Sequence, residues 1–289
     1  MIVVIGATGT IGRELQNSLI QANVPVRAIS REPDKLRIQL GAGDYKHVEI
    51  AQADASDAAT LRSAFQGASQ LFLSMSNSPR QVELESTVIR TAIEAGIEHI
   101  VKISSPLYNA LAPVEIARWH LEIETLLSDS GILHTVLRPY AFMQNLLRLT
   151  RPIRKHNAFY GSMGSSACNY IDCRDIADVA AEVLTNHKKA GRIYTLTGSE
   201  VFNYEWIAAK FTAMLGRPIT YINMDSNTQR RSLMEQDHMP LWLANHVVEI
   251  QAMSVAIPEH PTDTVARLIG HAPRTLDAFL EEHIGLFQH

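Results

Sequence analysis

IVVIGATGTIG (residues 2–12) runs a short β-branched strand directly into Gly6, Gly9 and Gly12, spaced G-x-x-G-x-x-G. Such a turn makes a physical demand at each glycine. Gly6 permits the tight reversal, Gly9 lets backbone N–H groups approach a pyrophosphate, and Gly12 lets the following helix lie close on the strand. The helix start at Thr10 and Ile11 then offers unpaired N–H groups and the positive end of its dipole to phosphate. A glycine triplet by itself is weak. One that ends a strand and opens a helix, with a βα series behind it, points to a dinucleotide; the competing reading is a turn kept for packing.

The series is present. VRAIS (26–30), VEIAQAD (48–54), LFLSM (71–75), HIVKIS (99–104) and HTVLRP (134–139) read as further buried strands separated by helical periods. Short continuous apolar runs between helices predict a parallel sheet covered on both faces. Over 113–130, Ile116, Trp119, Ile123, Leu126 and Leu127 recur at helical spacing between Pro113 and Gly131, the usual residues at a helix start and stop. The predicted fold class is α/β, a Rossmann-type doubly wound parallel sheet with a smaller, mostly helical C-terminal lobe. Residues 1–150 would form the dinucleotide-binding domain, and 151–289 a substrate-side lobe with room for segments that return to the sheet. RPIRKHNAFYGSMGSSACNY (151–170) reads as a surface connection, IYTLTG (193–198) as a strand, and 226–257 as mostly helical. Asn203 is placed to cap a helix that closes at Gly216, with Pro218 just beyond.

Composition narrows the setting. With 46% hydrophobic and 19% charged residues the chain is globular in type, and no apolar run is long enough to span a membrane. A net charge of −4 without a basic block argues against nucleic acid. The two cysteines, Cys168 and Cys173, are too few for a zinc site or a disulfide scaffold, and no H-E-x-x-H or C-x-x-C occurs, so no metal is expected. The opening has neither a basic n-region nor a cleavage site. A cytoplasmic setting follows, with no membrane or nucleic-acid partner; homo-oligomerisation stays open.

The end of the second strand bears on which dinucleotide is bound. NAD-selective sites usually place Asp or Glu there, accepting from the ribose 2′-hydroxyl. Here the residues are Ser30 and Arg31, followed by Lys35 and Arg37. A guanidinium in that place suits a 2′-phosphate and favours NADP(H) over NAD(H); the alternative is a solvated Arg31 beside Glu32. At the third strand end Asp54 and Ala55 fall where an adenine edge would sit, although Asp54 could equally cap the next helix.

Taken with AISREPDKL (28–36), AGIEHIVKISS (95–105), HLEIETLLSDSGILHTVLRP (120–139), YIDCRDIADVA (170–180) and TVARLIGHAPRTLDAFLEEH (264–283), the glycine turn gives a chain that resembles the NmrA-like branch of the atypical short-chain dehydrogenases/reductases. That family includes NADPH:quinone oxidoreductases, triphenylmethane dye reductases and dinucleotide-binding sensors without known turnover. The resemblance implies that Gly6, Thr8, Gly9, Thr10 and Ile11 hold the pyrophosphate and Arg31 the 2′-phosphate. It implies that Ser74 and Met75 border the ribose, that Ser104 and Ser105 lie near the nicotinamide, and that Pro139, Tyr140 and Phe142 wall its pocket. Asp175 belongs to the family pattern, with helix capping or tethering as its expected task.

One departure limits the chemistry. None of the eight tyrosines has lysine four residues on; Tyr170, followed by Arg174, comes nearest. The proton donor of ordinary short-chain dehydrogenases is therefore missing. A quinone-like or other conjugated small-molecule acceptor needs only hydride and orientation, because water can supply a proton afterwards. Tyr108 and His120 are the candidates for local acid work, His120 also reading as a core histidine on the apolar side of its helix. Cys168 and Cys173 read as ordinary thiols. The expected activity is NADPH-dependent reduction of such an acceptor, with Trp242 and Met239 lining its cleft; the alternative is a non-catalytic redox sensor that binds a partner protein.

Overall fold

The computed structural model describes residues 1–40, 47–106 and 114–288. Its centre is a parallel sheet built from β1 (Ile2–Ile5), β2 (Val26–Ser30), β3 (Val48–Gln52), β4 (Gln70–Leu73), β5 (His99–Ile103) and β6 (Leu133–Pro139). The connecting helices are α1 (Thr10–Gln21), α2 (Pro33–Leu40), α3 (Ala58–Phe65), α4 (Gln81–Glu94) and α5 (Glu115–Asp129). Every residue of β1 is buried because its two faces feed two cores. Ile2 and Val4 pack with Leu15 and Leu19 of α1, while Val3 and Ile5 pack with Phe65, Val88 and Ile123 on the other side. Fully burying a side chain such as Leu15 contributes about 2 kcal/mol, so α1 is held mainly by this face.

Beyond Pro139 come β7 (Ala141–Phe142), α6 (Thr150–His156), β8 (Ala158–Gly161), β9 (Ala167–Ile171), α7 (Cys173–Thr185), β10 (Ile193–Leu196) and β11 (Val201–Asn203). They are followed by α8 (Tyr204–Leu215), β12 (Thr220–Asn223), α9 (Ser226–Glu235), α10 (Leu241–Ala256), α11 (Thr264–Ile269) and α12 (Leu276–His283). β10 pairs in parallel with β6, and the sheet has seven strands in the order β10-β6-β5-β4-β1-β2-β3. The order reverses direction between β1 and β4, which is where a doubly wound sheet opens a crevice at its carboxyl edge. α7 and α11 cover the same face as α1. Asp175 of α7 is buried and accepts from the backbone N–H of Arg274 at 2.8 Å, and also from the Arg274 guanidinium. Its task is tethering; Asp172 caps α7, accepting from Arg174 N at 2.8 Å.

Several sequence expectations need correction. Residues 151–170 are not a surface connection. They supply α6, β8 and β9, and Ile153, Phe159, Met163, Cys168 and Tyr170 are buried in a third core with Phe211 and Phe279. Strands this short carry too few residues to show a period, and the polar residues around them masked it. The helix expected over 113–130 runs from Glu115 to Asp129, and Pro113 lies outside the described residues. Trp119 is only partly buried, its ring 6.2 Å from that of Trp242. The strands expected over 48–54, 71–75 and 99–104 stop at Gln52, Leu73 and Ile103. The residues just past those ends have left the ladder to face the crevice. At α8, Asn203 Oδ1 accepts from Trp206 N at 2.8 Å, and Gly216 closes the helix at φ +66°.

Candidate functional site

A cleft of about 1650 Å³ runs along the carboxyl edge of the sheet, roofed by α9 and α10. The glycine turn forms its floor. Gly6 has φ +84°, and a Cβ there would lie 1.8 Å from Ser74 O. A Cβ on Gly12 would lie 2.2 Å from Gly6 O, so only glycine lets α1 sit this close to β1. Gln16 braces the turn from below, donating to Ala7 O at 2.7 Å and Gly12 O at 2.9 Å. Gly9 is the N-cap of α1 and supplies no side-chain acceptor. The first-turn N–H groups have no partner within the helix, so they remain available to an anion in the cleft.

The other strand ends follow in spatial order. Past β2, Lys35 pairs with Glu32 at 2.6 Å, while the Arg31 guanidinium makes no hydrogen bond or ion pair among the described residues and its charge acts on Asp54. Glu32 is thus engaged by Lys35, and Arg31 lines the cleft wall. Past β3, Asp54 accepts from Ser56 Oγ at 2.6 Å and Ser56 N at 2.8 Å, which holds its carboxyl below the usual range. It is not the cap of α3. Asp57 takes that role, accepting from Ala59 N at 2.9 Å, and Asp54 and Ala55 both face the cleft. Ser74 and Met75 line it past β4.

Past β5, Ser104 donates through Oγ to Glu124, which also takes Arg138 Nε at 3.0 Å. Ser105 Oγ is buried without a hydrogen-bond partner among the described residues, and Ser105 lines the cleft. Pro139, Tyr140 and Phe142 form the wall beyond β6, and Tyr140 N donates to Leu196 O at 3.0 Å. Burial, then the Glu259 carboxylate, raise the Tyr140 phenol. Met239 and Trp242 complete the far side, as expected. Tyr108 lies outside the described residues.

His120 is buried in α5, yet it forms part of the cleft surface. Behind it lies a cluster that the sequence reading missed. Lys102 and Glu85 are fully buried and paired at 2.8 Å. Lys102 Nζ also donates to Ile103 O and stands 3.2 Å from His120 Nδ1. An ammonium only donates, so Nδ1 must be the acceptor and the ring proton sits on Nε2. Burial, then the charges of Lys102 and His246, keep His120 well below its ordinary pKa, so it is neutral. Gln81 Nε2 donates to Glu85 Oε1 at 3.0 Å and lies 3.4 Å from both ring nitrogens. The readable signal was Lys102 itself, the one charged residue in the fully buried strand HIVKI.

Glu259 was also missed. It is buried beside the cleft, accepting from Asn169 N at 2.6 Å and Ser254 Oγ at 2.8 Å. Both cysteines are free and buried, and burial pushes Cys168 up to about 12, so neither is a ready nucleophile. Among the described residues no group of three or more His, Cys, Asp or Glu is placed to hold a metal, and no helix is long and apolar enough to cross a membrane.

The glycine turn, the helix N-terminus and the crevice at the reversal of strand order define a Rossmann-type α/β protein. Within that class the chain matches the NmrA-like family over residues 1–280, and it belongs to that family. It is 33% identical to an NAD(P)H azoreductase of Xenophilus azovorans, with 99% of each chain covered. It is 31% identical to a (4-alkanoyl-5-oxo-2,5-dihydrofuran-3-yl)methyl phosphate reductase of Streptomyces griseus, again over 99% of both. The NADPH-dependent quinone oxidoreductase of Escherichia coli, solved in complex with NADPH, superposes with a TM-score of 0.87 at 29% identity, covering 98% of this chain and 100% of that one.

Proposed function

We propose that this chain is an NADPH-dependent reductase that delivers hydride to a quinone, azo or other conjugated small-molecule acceptor. The observation that carries the reading is the cleft itself. Its glycine floor offers uncapped N–H groups, Arg31 stands past β2 without a hydrogen bond or ion pair among the described residues, and a further wall of aromatic and apolar side chains follows β6. The residues present fit the group: Gly9 leaves open the space that a side chain would fill over the turn. The relatives named above support the reaction class.

When bound, NADPH supplies a hydride from its nicotinamide; everything else falls to this chain. Gly6, Thr8, Gly9, Thr10 and Ile11 hold the pyrophosphate, and Arg31 holds the 2′-phosphate. Asp54 and Ala55 border the adenine, and Ser74 and Met75 the ribose. Ser104, Ser105, Pro139, Tyr140 and Phe142 surround the nicotinamide and exclude water from one face. His120 has a role different from acid work. A neutral imidazole with Nδ1 occupied cannot deliver a proton readily, but its Nε2–H donates a hydrogen bond to an acceptor that gains negative charge. Water then supplies the proton.

The test is NADPH oxidation with a quinone, an azo dye and an enone in turn. Rates above background for at least one acceptor are expected; background rates with all would overturn the reading in favour of a sensor. The cofactor choice has its own measurement. Arg31→Ala should weaken NADPH binding about tenfold to a hundredfold, the loss of one charge-assisted hydrogen bond, and leave NADH binding nearly unchanged. Equal effects on both cofactors would place the 2′-phosphate elsewhere.

A further inference from the structure

A wall of unpaired positive charge borders the acceptor side of the cleft. Arg148, Arg151 and Lys155 all line it, at i, i+3 and i+7 along the turn that leads into α6 and along α6 itself, so they share one helical face. With Arg154 they also wall an adjoining concavity of about 550 Å³. None of these four cations makes a hydrogen bond or ion pair among the described residues. Several other arginines of the fold are neutralised: Arg138 by Glu124, Arg174 by Asp172, and Arg274 by Asp175 and Asp178. The sequence shows why the wall is unpaired. There is no Asp or Glu anywhere between Asp129 and Asp172, in a chain whose net charge is −4.

The wall and the proposed 2′-phosphate position also belong to different parts of the sheet edge. The wall grows out of the segment after β6, which stands four strand steps from β2 in the sheet. At about 4.8 Å per step that is about 19 Å. The same segment carries Tyr140 and Phe142, the walls proposed for the ring that transfers hydride. An anion meeting Arg148, Arg151 and Lys155 would therefore belong to the molecule being reduced.

We infer that the acceptor carries an anionic group, a carboxylate, sulfonate or phosphate ester, remote from its reducible bond and seated against Arg148, Arg151 and Lys155. This rests on the proposed reductase activity and adds the class of substrate. The cations are solvent-exposed, so their combined field acts on capture more than on the chemical step, and salt screens it. The advantage belongs in KM rather than kcat.

The experiment compares a naphthoquinone bearing an alkyl carboxylate with its methyl ester, which shares the same ring. At low ionic strength the carboxylate should show a KM lower by on the order of tenfold, with kcat alike and the advantage shrinking as salt is added. The double variant Arg148→Gln, Arg151→Gln should lose that advantage while keeping the ester's KM and the affinity for NADPH. Equal KM values in the wild type would overturn the inference and leave the reductase reading standing. Loss of NADPH affinity in the double variant would overturn it too, by giving the wall to the cofactor. If neither quinone is reduced, and the azo dye and the enone are not reduced either, the reductase reading fails. Calorimetry with naphthalenesulfonate against naphthalenesulfonamide then decides the inference alone: sulfonate-selective binding that the double variant abolishes supports it, and equal or absent binding overturns it.

Discussion

A Gly9→Ala variant is expected to fold at close to wild-type stability and to bind NADPH on the order of a hundredfold more weakly, whereas Gly12→Ala is expected to lose stability as well. The two glycines sit three residues apart in one turn, yet their surroundings differ. A Cβ on Gly9 meets only Gly6 O, at 3.1 Å, and otherwise enters the open cleft. A shift of a few tenths of an ångström relieves that contact, so the folding penalty stays within about 1 kcal/mol, the scale of an N-cap substitution. The same methyl stands where the proposed pyrophosphate would approach the first-turn N–H groups, and a hundredfold loss corresponds to about 2.7 kcal/mol. On Gly12 the Cβ collides with Gly6 O at 2.2 Å and Gly6 C at 2.8 Å, both backbone atoms that cannot rotate away. α1 must then lift off β1 and take Leu15 and Leu19 partly out of their core, a loss of about 3 kcal/mol. Urea unfolding and NADPH titration of both variants separate the effects. Tight NADPH binding by Gly9→Ala would remove the phosphates from this turn. A fully stable Gly12→Ala would contradict the close helix–strand contact.

How much of this was legible in the sequence depends on how far apart the interacting residues lie. The glycine turn is local: the strand, the turn and the helix proposed to confront the phosphates fall within residues 2–21, and the spacing alone states the demand. The strands of the sheet were legible because each is a run buried on both faces. Their carboxyl ends were read too long at 48–54, 71–75 and 99–104, because Asp54, Ser74, Met75 and Ser104 continue the pattern while facing the crevice. By contrast, the support behind His120 joins α4, β5 and α5. Glu85, Lys102 and His120 meet only after the sheet is assembled, and no spacing rule links them. Lys102 in the middle of HIVKI announced a buried partner without naming it. Residues 151–170 failed for a different reason. Ile153, Phe159 and Tyr170 are core residues, but the segments that carry them are shorter than one clear period, and serines and glycines separate them.

Stability is expected to fall as the pH is lowered from 7 to 5, through histidines that the fold buries neutral. His99 is the clearest case. It lies in β5 with Nε2 2.8 Å from Thr135 Oγ1 of β6 and Nδ1 3.4 Å from Gln70 Oε1 of β4. Burial first, then the charges of His187 and His134, lower its pKa to about 4. In the unfolded chain an ordinary histidine titrates near 6.5, about where this one begins. Above that pH neither state takes up the proton, and His99 contributes no pH dependence. As the pH falls below about 6.5 the unfolded chain is protonated while the folded one is not, so stability drains away until the folded pKa near 4 is reached. By pH 5 the loss from this one group is about 2 kcal/mol, a substantial part of the usual 5–15 kcal/mol of a domain, roughly speaking. His246, lowered to about 4 by burial, and His120, lowered further by burial and Lys102, act in the same direction over the same window. Asp172 acts only at lower pH. Hydrogen bonds from Arg174 and Gln144 outweigh its burial and hold it below the usual carboxylate range, so its contribution is present above the unfolded pKa and lost beneath it. Urea unfolding at pH 7 and pH 5 for the wild type and His99→Gln isolates the histidine. The variant should start about 1 kcal/mol less stable, through the weakened bond to Thr135, and then lose about 2 kcal/mol less than the wild type on acidification. An identical loss in both proteins would mean that His99 is protonated in the fold at pH 5, and that its place between Thr135 and Gln70 can accommodate the charge.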